Sequence, residues 1–309
     1  MEDFIVSISS IMIDDVIYSI DDMRFGNLGG ASPHALAGSG VWDHAFGVVS
    51  SAGHDFDQLF TDLDLLRIDT AGVQFLQDKT TRAWEVYQHG NQRVMVFQNP
   101  EVGIVQAVPD FSILPMKYQN AKGYHILWNG KHEDLFSTLE WLRKNNPHTI
   151  IAFEPSRISE AEDENFFQRL FALIDVFSPS ISEVHLSGQS AALEEIIKWY
   201  LGLGCRKIAL RLGPDGSAGA EGPEQIIKVP AVKTEVVDVT GAGNAYVGGL
   251  LSGLACNRPL EEAMAMGSVS AGFKVQRFGL CFFNDEMIPQ RDAYLNEVLN
   301  GITTSKILF

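Results

Sequence analysis

Apolar runs of strand length alternate with helical patterns through most of this chain, and that rhythm admits few folds. Strands separated by helices pair most readily in parallel, and such a sheet is covered by helices on both faces. Strand candidates are residues 4–8, 45–49, 123–127, 149–153, 176–177 with their flanks, 184–186 and 207–210. Helical patterns run over 34–41, 135–145, 164–174, 191–202, 243–255, 260–275 and 291–300. Pro33 at one helix start, and Gly202 and Gly204 at the end of another, fit the usual asymmetry of helix termini. Segments 14–24 and 93–107 break the rhythm: alternating apolar residues, such as Val94 and Val96, read as short strands in a half-exposed sheet.

With 309 residues, 46% of them hydrophobic, the chain can bury one large α/β domain or two smaller ones. The formal charge of −16 argues against nucleic acid or an anionic membrane as the main partner. It leaves room for ATP, whose site needs a few local cations and backbone N–H groups. Cys205, Cys256 and Cys281 form no CxxC pair and suit free thiols in a reducing compartment. There is no basic leader and no window of about 18 apolar residues. A cytoplasmic protein is the expectation.

One segment carries chemistry. In Asp238-Val-Thr-Gly-Ala-Gly-Asn244, two glycines flank an alanine, and the apolar helix Ala245-Tyr-Val-Gly-Gly-Leu-Leu-Ser-Gly-Leu254 follows. The glycines let the backbone fold tightly, so that successive N–H groups point into one concavity. The helix aims its positive end at the same place. Gly241, Ala242 and Gly243 then form a seat for an anion such as a phosphoryl group. A strand-to-helix turn with glycines for close packing is the alternative.

This run resembles the second signature of the pfkB (ribokinase-like) carbohydrate kinase family, D-T-x-G-A-G-D. The resemblance implies a ribokinase-like three-layer α/β sandwich over residues 1–309, a mainly parallel sheet, and a small β lid built from 14–24 and 93–107. It also implies ATP and Mg²⁺ as cofactors. In the family the last Asp of the signature takes the proton from the substrate hydroxyl. Here Asn244 stands there, and an amide cannot hold a proton as a carboxylate does.

Further pieces match in order. Asp14 and Asp15 follow the first strand, where family members place an Asp on substrate hydroxyls. Gly29-Gly30-Ala31-Ser32-Pro33-His34 is similar to G-G-x-x-x-N, with His34 for the Asn that binds substrate. Glu154-Pro155-Ser156-Arg157 resembles D-P-N-x-R, and Arg157 is placed to contact the phosphoryl group. Ser180-Ile-Ser-Glu183 resembles N-x-x-E, whose Glu serves the magnesium–phosphate network. Arg211-Leu-Gly213-Pro-Asp215-Gly216 is similar to T-x-G-x-x-G beside the nucleotide; Arg211 either pairs with phosphates or bridges a surface carboxylate. Gln276-Arg277-Phe278-Gly279 resembles the loop that closes on adenine. Asp238 is a candidate for a replacement base, but the family motif places it at the strand end, which suits a structural role.

The altered positions are His34, Glu154, Ser180 and Asn244, while the anion seat is intact. Three functions stay open. The leading one is an ATP-dependent phosphotransferase acting on a hydroxyl of a sugar, nucleoside or related small molecule, with altered or slow catalysis. The others are a scaffold repurposed for a non-kinase reaction, and a non-catalytic regulatory protein that binds nucleotide or sugar phosphate. If position 244 merely lacks its base, Asn244→Asp should raise phosphotransfer. A homodimer through the lid is a further expectation from the family.

Overall fold

Strand β1 (Phe4–Ile8) is buried along its whole length, as a parallel strand covered on both faces must be. A hairpin of β2 (Met12–Ser19) and β3 (Asp22–Gly29) follows, then α1 (Ala31–Ser39), β4 (Ala45–Gly53), α2 (Asp57–Leu65) and β5 (Ile68–Gln77). Next come β6 (Arg82–Tyr87), β7 (Arg93–Phe97), α3 (Met116–Gln119), β8 (Gly123–Ile126), α4 (His132–Asn145), β9 (Ile150–Phe153), α5 (Glu164–Phe171) and β10 (Val176–Phe177). The last third holds α6 (Leu193–Gly202), β11 (Lys207–Arg211), β12 (Ser217–Glu221), β13 (Gln225–Val229), α7 (Ala242–Ala255), α8 (Leu260–Val275), α9 (Ile288–Asn300) and β14 (Thr303–Lys306). These elements come from a computed structural model that describes residues 4–42, 44–55, 57–87, 93–98, 103–156, 163–184 and 192–306.

Among the described residues the large sheet has the order β14-β13-β12-β11-β10-β9-β8-β1-β4-β5. From β11 to β5 every neighbour is parallel. The β12, β13 and β14 edge is antiparallel. Alternate residues of β1 serve opposite cores: Phe4, Val6 and Ile8 face the layer of α4, α5 and α6, whereas Ile5 faces that of α1, α7 and α8. This is the three-layer α/β sandwich expected from the alternating sequence.

The second sheet runs β3-β2-β6-β7, with β2 and β6 parallel at its centre and antiparallel pairs outside. Segment 14–24 lies in its hairpin. Among its described residues, segment 93–107 is strand over β7 alone, and 103–107 is not the short strand expected there. Residues 103–110 have no strand structure, and side chains tie this stretch to the sheets: Thr81 Oγ1 donates to Gly103 O at 2.9 Å and Ser51 Oγ donates to Val105 O. Val184 lies outside any strand, and the rest of the expected 184–186 strand lies outside the described residues.

Helix α7 is buried all round from Ala245 to Ala255, which explains its unbroken apolar sequence. Its glycines permit backbone contact with α1: a Cβ on Gly248 would lie 1.9 Å from Ala35 O, and one on Gly38 would lie 2.2 Å from Ala245 O. That close approach brings the start of α1 beside the start of α7.

Candidate active site

The carboxyl ends of parallel strands and the second sheet enclose a cleft of about 700 Å³. In open α/β sheets ligands bind at such strand ends. Ser10 follows β1, Leu127 follows β8, Glu154 follows β9, and Arg211 ends β11; all line the cleft. Gly241, Gly243 and Asn244 at the start of α7 line it too, as do Asp14, Gly30 and His34.

Gly241 is the N-cap of α7, with φ of 74°, in the left-handed region that favours glycine. A Cβ there would also lie 2.2 Å from the His34 ring, so the side chain at the expected substrate position rests on the anion seat. The N–H of Ala242 donates to Val239 O at 3.2 Å, and Ala245 makes the first α-helical bond, to Gly241 O at 2.9 Å. The seat therefore corrects the expected trio at Ala242, whose N–H is already taken. Gly243 and Asn244 supply first-turn N–H groups without intrahelical acceptors, while Ala242 holds the turn. A Cβ on Gly243 would lie 2.1 Å from an Arg211 guanidinium nitrogen.

Behind the seat, Asp238 is buried. It accepts from Lys274 Nζ at 2.8 Å, from Thr240 N at 2.9 Å and from Gly279 N at 3.2 Å. Burial opposes its charge, but Lys274 and the donors hold its carboxyl below the usual range. Its role is to fix the glycine run. Tyr87 of β6 hydrogen-bonds Thr240 in the same run and stacks on Tyr18 of β2 at 4.7 Å between centroids, tying the second sheet to the seat.

In front of the seat lies a charge network. Glu154, 2% exposed, accepts from Arg211 at 2.6 Å, from His125 Nε2 at 3.0 Å and from Asn244 Nδ2 at 3.0 Å. Burial works against its charge, yet Arg211, His125 and Asn244 outweigh that and keep the carboxyl below its ordinary value. His125 Nδ1 continues to Ser7 Oγ at 2.8 Å, and Ser7 to Ser32 Oγ at 2.8 Å. Arg211 also donates to Glu183 at 3.2 Å, and Arg211 Nε has no acceptor among the described residues. Burial pushes the Glu183 carboxyl up to about 7 despite Arg211.

Several expected site residues are corrected by this geometry. Arg211 is not a surface bridge, because two cleft carboxylates hold it. Asp15 does not line the cleft: Arg82 grips it at 2.8 Å on both oxygens, Gly26 N donates at 2.8 Å, and Gln98 donates as well. Gly29 makes room for the Asp14 carboxylate, which a Cβ would meet at 1.9 Å. Gly30, at φ 91°, would strike Ser10 O at 2.6 Å. Gly213, Gly216, Arg277 and Gly279 lie outside the cleft lining; Gly216 closes a tight turn against Val229 O, and Arg277 donates to Phe282 O at 3.4 Å. Arg157 lies outside the described residues.

Glu183 spends its Oε2 on Arg211 and on Ser180 N at 2.7 Å, capping the short helix that it ends. No group of three His, Cys, Asp or Glu among the described residues could hold a metal. Mg²⁺ needs only one or two carboxylates when it sits on substrate phosphates with its own waters, so Glu183, which lines the cleft, is the residue that would serve it. The sequence reading also missed His125, Glu85 and Tyr87. Each carried a signal: a histidine inside an apolar strand run, and a polar alternation at Glu85 and Tyr87 that puts both on the cleft face of β6.

The family model described as pfkB family carbohydrate kinase matches residues 3–287. A cytidine kinase from Thermococcus kodakarensis is 24% identical over 89% of this chain and 97% of its own length. An Escherichia coli putative ribokinase II, solved with ATP and Mg²⁺, superposes with a TM-score of 0.77 at 17% identity, over 96% of this chain and all of its own. Aminoimidazole riboside kinase from Salmonella enterica, solved with its riboside and an ATP analogue, gives a TM-score of 0.74 at 19% identity, over 94% of this chain and 99% of its own. No helix among the described residues is long and apolar enough to cross a membrane.

Proposed function

The chain belongs to the pfkB family of carbohydrate kinases, and we propose that it transfers a phosphoryl group from ATP to a hydroxyl of a sugar or nucleoside. One observation carries this reading. A single cleft joins the glycine-run seat, Gly241 to Asn244, to a polar wall of Asp14, His34 and Glu85. The first feature suits a phosphoryl group and the second a molecule rich in hydroxyls.

Gly243 and Asn244 N–H groups bind the phosphoryl oxygens, aided by the α7 dipole. Arg211, held against Gly243, adds positive charge where the transferred group passes. Asp14 accepts hydroxyl hydrogen bonds. Glu154 fixes the Asn244 amide by taking its N–H, so Oδ1 remains as the acceptor. The second sheet acts as the lid; Tyr87 and Tyr18 hold it down and exclude water. Its outer face exposes Trp84, Val94 and Val96, apolar cover for a homodimer through the lid. No step runs through a protein-bound metal.

The test is phosphotransfer from radiolabelled ATP to a panel of nucleosides and sugars. Product on at least one acceptor is expected. Nucleotide binding without transfer to any of them would favour the regulatory reading, which the amide at position 244 supports.

A further inference from the structure

We propose that Glu154 receives the proton of the acceptor hydroxyl, replacing the carboxylate that position 244 lacks. This rests on the phosphotransfer reading. Two observations bear it. Glu154 lines the cleft although only 2% of it is exposed. One of its carboxylate oxygens lies a single hydrogen bond, 3.0 Å, from Asn244 Nδ2.

The surroundings suit a proton acceptor. Arg211 binds Oε1 at 2.6 Å and keeps the group charged, so that it starts each cycle ready to accept. Oε2 is filled by Asn244 and His125, so Oε1, which accepts from Arg211 and lies 3.8 Å from a Cβ built on Gly243, receives the proton. His125 leads on through Ser7 to Ser32, a run of hydrogen-bonding groups leading away from the cleft. The step balances. The acceptor oxygen bonds to the γ-phosphorus, the bond to the β,γ-bridging oxygen breaks, ADP leaves with that electron pair, and the hydroxyl proton passes to Glu154.

The arrangement reverses the expectation for Asn244→Asp. Two carboxylates 3.0 Å apart repel, so the single exchange lowers turnover. The double exchange Glu154→Gln with Asn244→Asp keeps the charge and the hydrogen bond while reversing their direction.

The experiment uses full-length protein with magnesium ATP and the acceptor found in the panel. Glu154→Gln should lose about 10²–10⁴ in kcat while its ATP affinity stays within about threefold. Glu154→Asp, which keeps the charge for Arg211 and withdraws the carboxylate from position 244, should lose at least about tenfold and guards against a misfolded Gln variant. The double variant should recover at least about tenfold over Glu154→Gln, and the acid limb of the pH–rate profile should vanish in the Gln variant and return in the double. A Glu154→Gln kcat within about threefold of wild type, or no recovery in the double, overturns the proposal with the kinase reading intact. Absence of transfer by the wild type overturns both.

Discussion

Two buried ion pairs flank the glycine run, and they differ in what surrounds them. The Asp238 and Lys274 side chains are each 1% exposed and lie outside the cleft lining; two backbone N–H groups and the Tyr87 hydroxyl fill the remaining hydrogen-bond positions of Asp238. Glu154 and Arg211 are nearly as buried, yet both line the cleft, and Arg211 is shared with a second carboxylate. A closed pair fixes a turn. A pair open on one side, with one cation between two acids, holds charge that a bound ligand can redistribute. Burial alone does not separate structure from chemistry here; access does.

The largest effect should break the closed pair. Lys274→Met leaves a buried, uncompensated Asp238 and should cost about 3–5 kcal/mol, read as a lower urea midpoint. Adding Asp238→Asn should return much of it. An unchanged midpoint in the single variant would mean that the pair is not a clamp. Gly243→Val acts on the open side: its side chain displaces Arg211 and fills the seat. Calorimetry should show ATP binding weakened by at least about tenfold, near 1.4 kcal/mol, with the fold kept. Equal affinity would remove the seat from the site.

Smaller effects sharpen the contrast. Tyr87→Phe removes the link from the second sheet to Thr240 and should cost about 0.5–1.5 kcal/mol. Faster amide exchange confined to β2 and β6 would show it, and unchanged exchange would deny the tether. The open pair should also respond to pH. The Glu183 carboxyl is raised from 4.5 to about 7 in the folded chain, so its protonation favours folding. That contribution is full below 4.5 and declines as pH rises towards about 7. Glu183→Gln should flatten this part of the stability profile, whereas a slope identical to wild type would place its origin elsewhere.

The layers of the fold were legible because helices and parallel strands impose different periods on apolar residues. The antiparallel edge was not. β12 is Ser-Ala-Gly-Ala-Glu, with little strand propensity of its own, and β14 is fully exposed, so pairing with β13 makes them strands. The seat was legible at Gly241, where backbone geometry favours glycine, and at Gly243, where the Arg211 side chain leaves no room for a Cβ. The charge network was not. Nothing in the spacing of His125, Glu154, Arg211 and Asn244 says that four elements bring them together. Arg211 shows why: an arginine on a strand end is most often a surface group, and only the sheet order sets it between Glu154 and Glu183.

The most direct measurement is calorimetric titration of the wild-type chain with magnesium ATP, alone and with acceptor present. Saturable micromolar binding that Gly243→Val weakens is the expected result. No heat of binding up to millimolar nucleotide, with or without acceptor, in a sample that unfolds cooperatively, would contradict a phosphoryl seat at the start of α7.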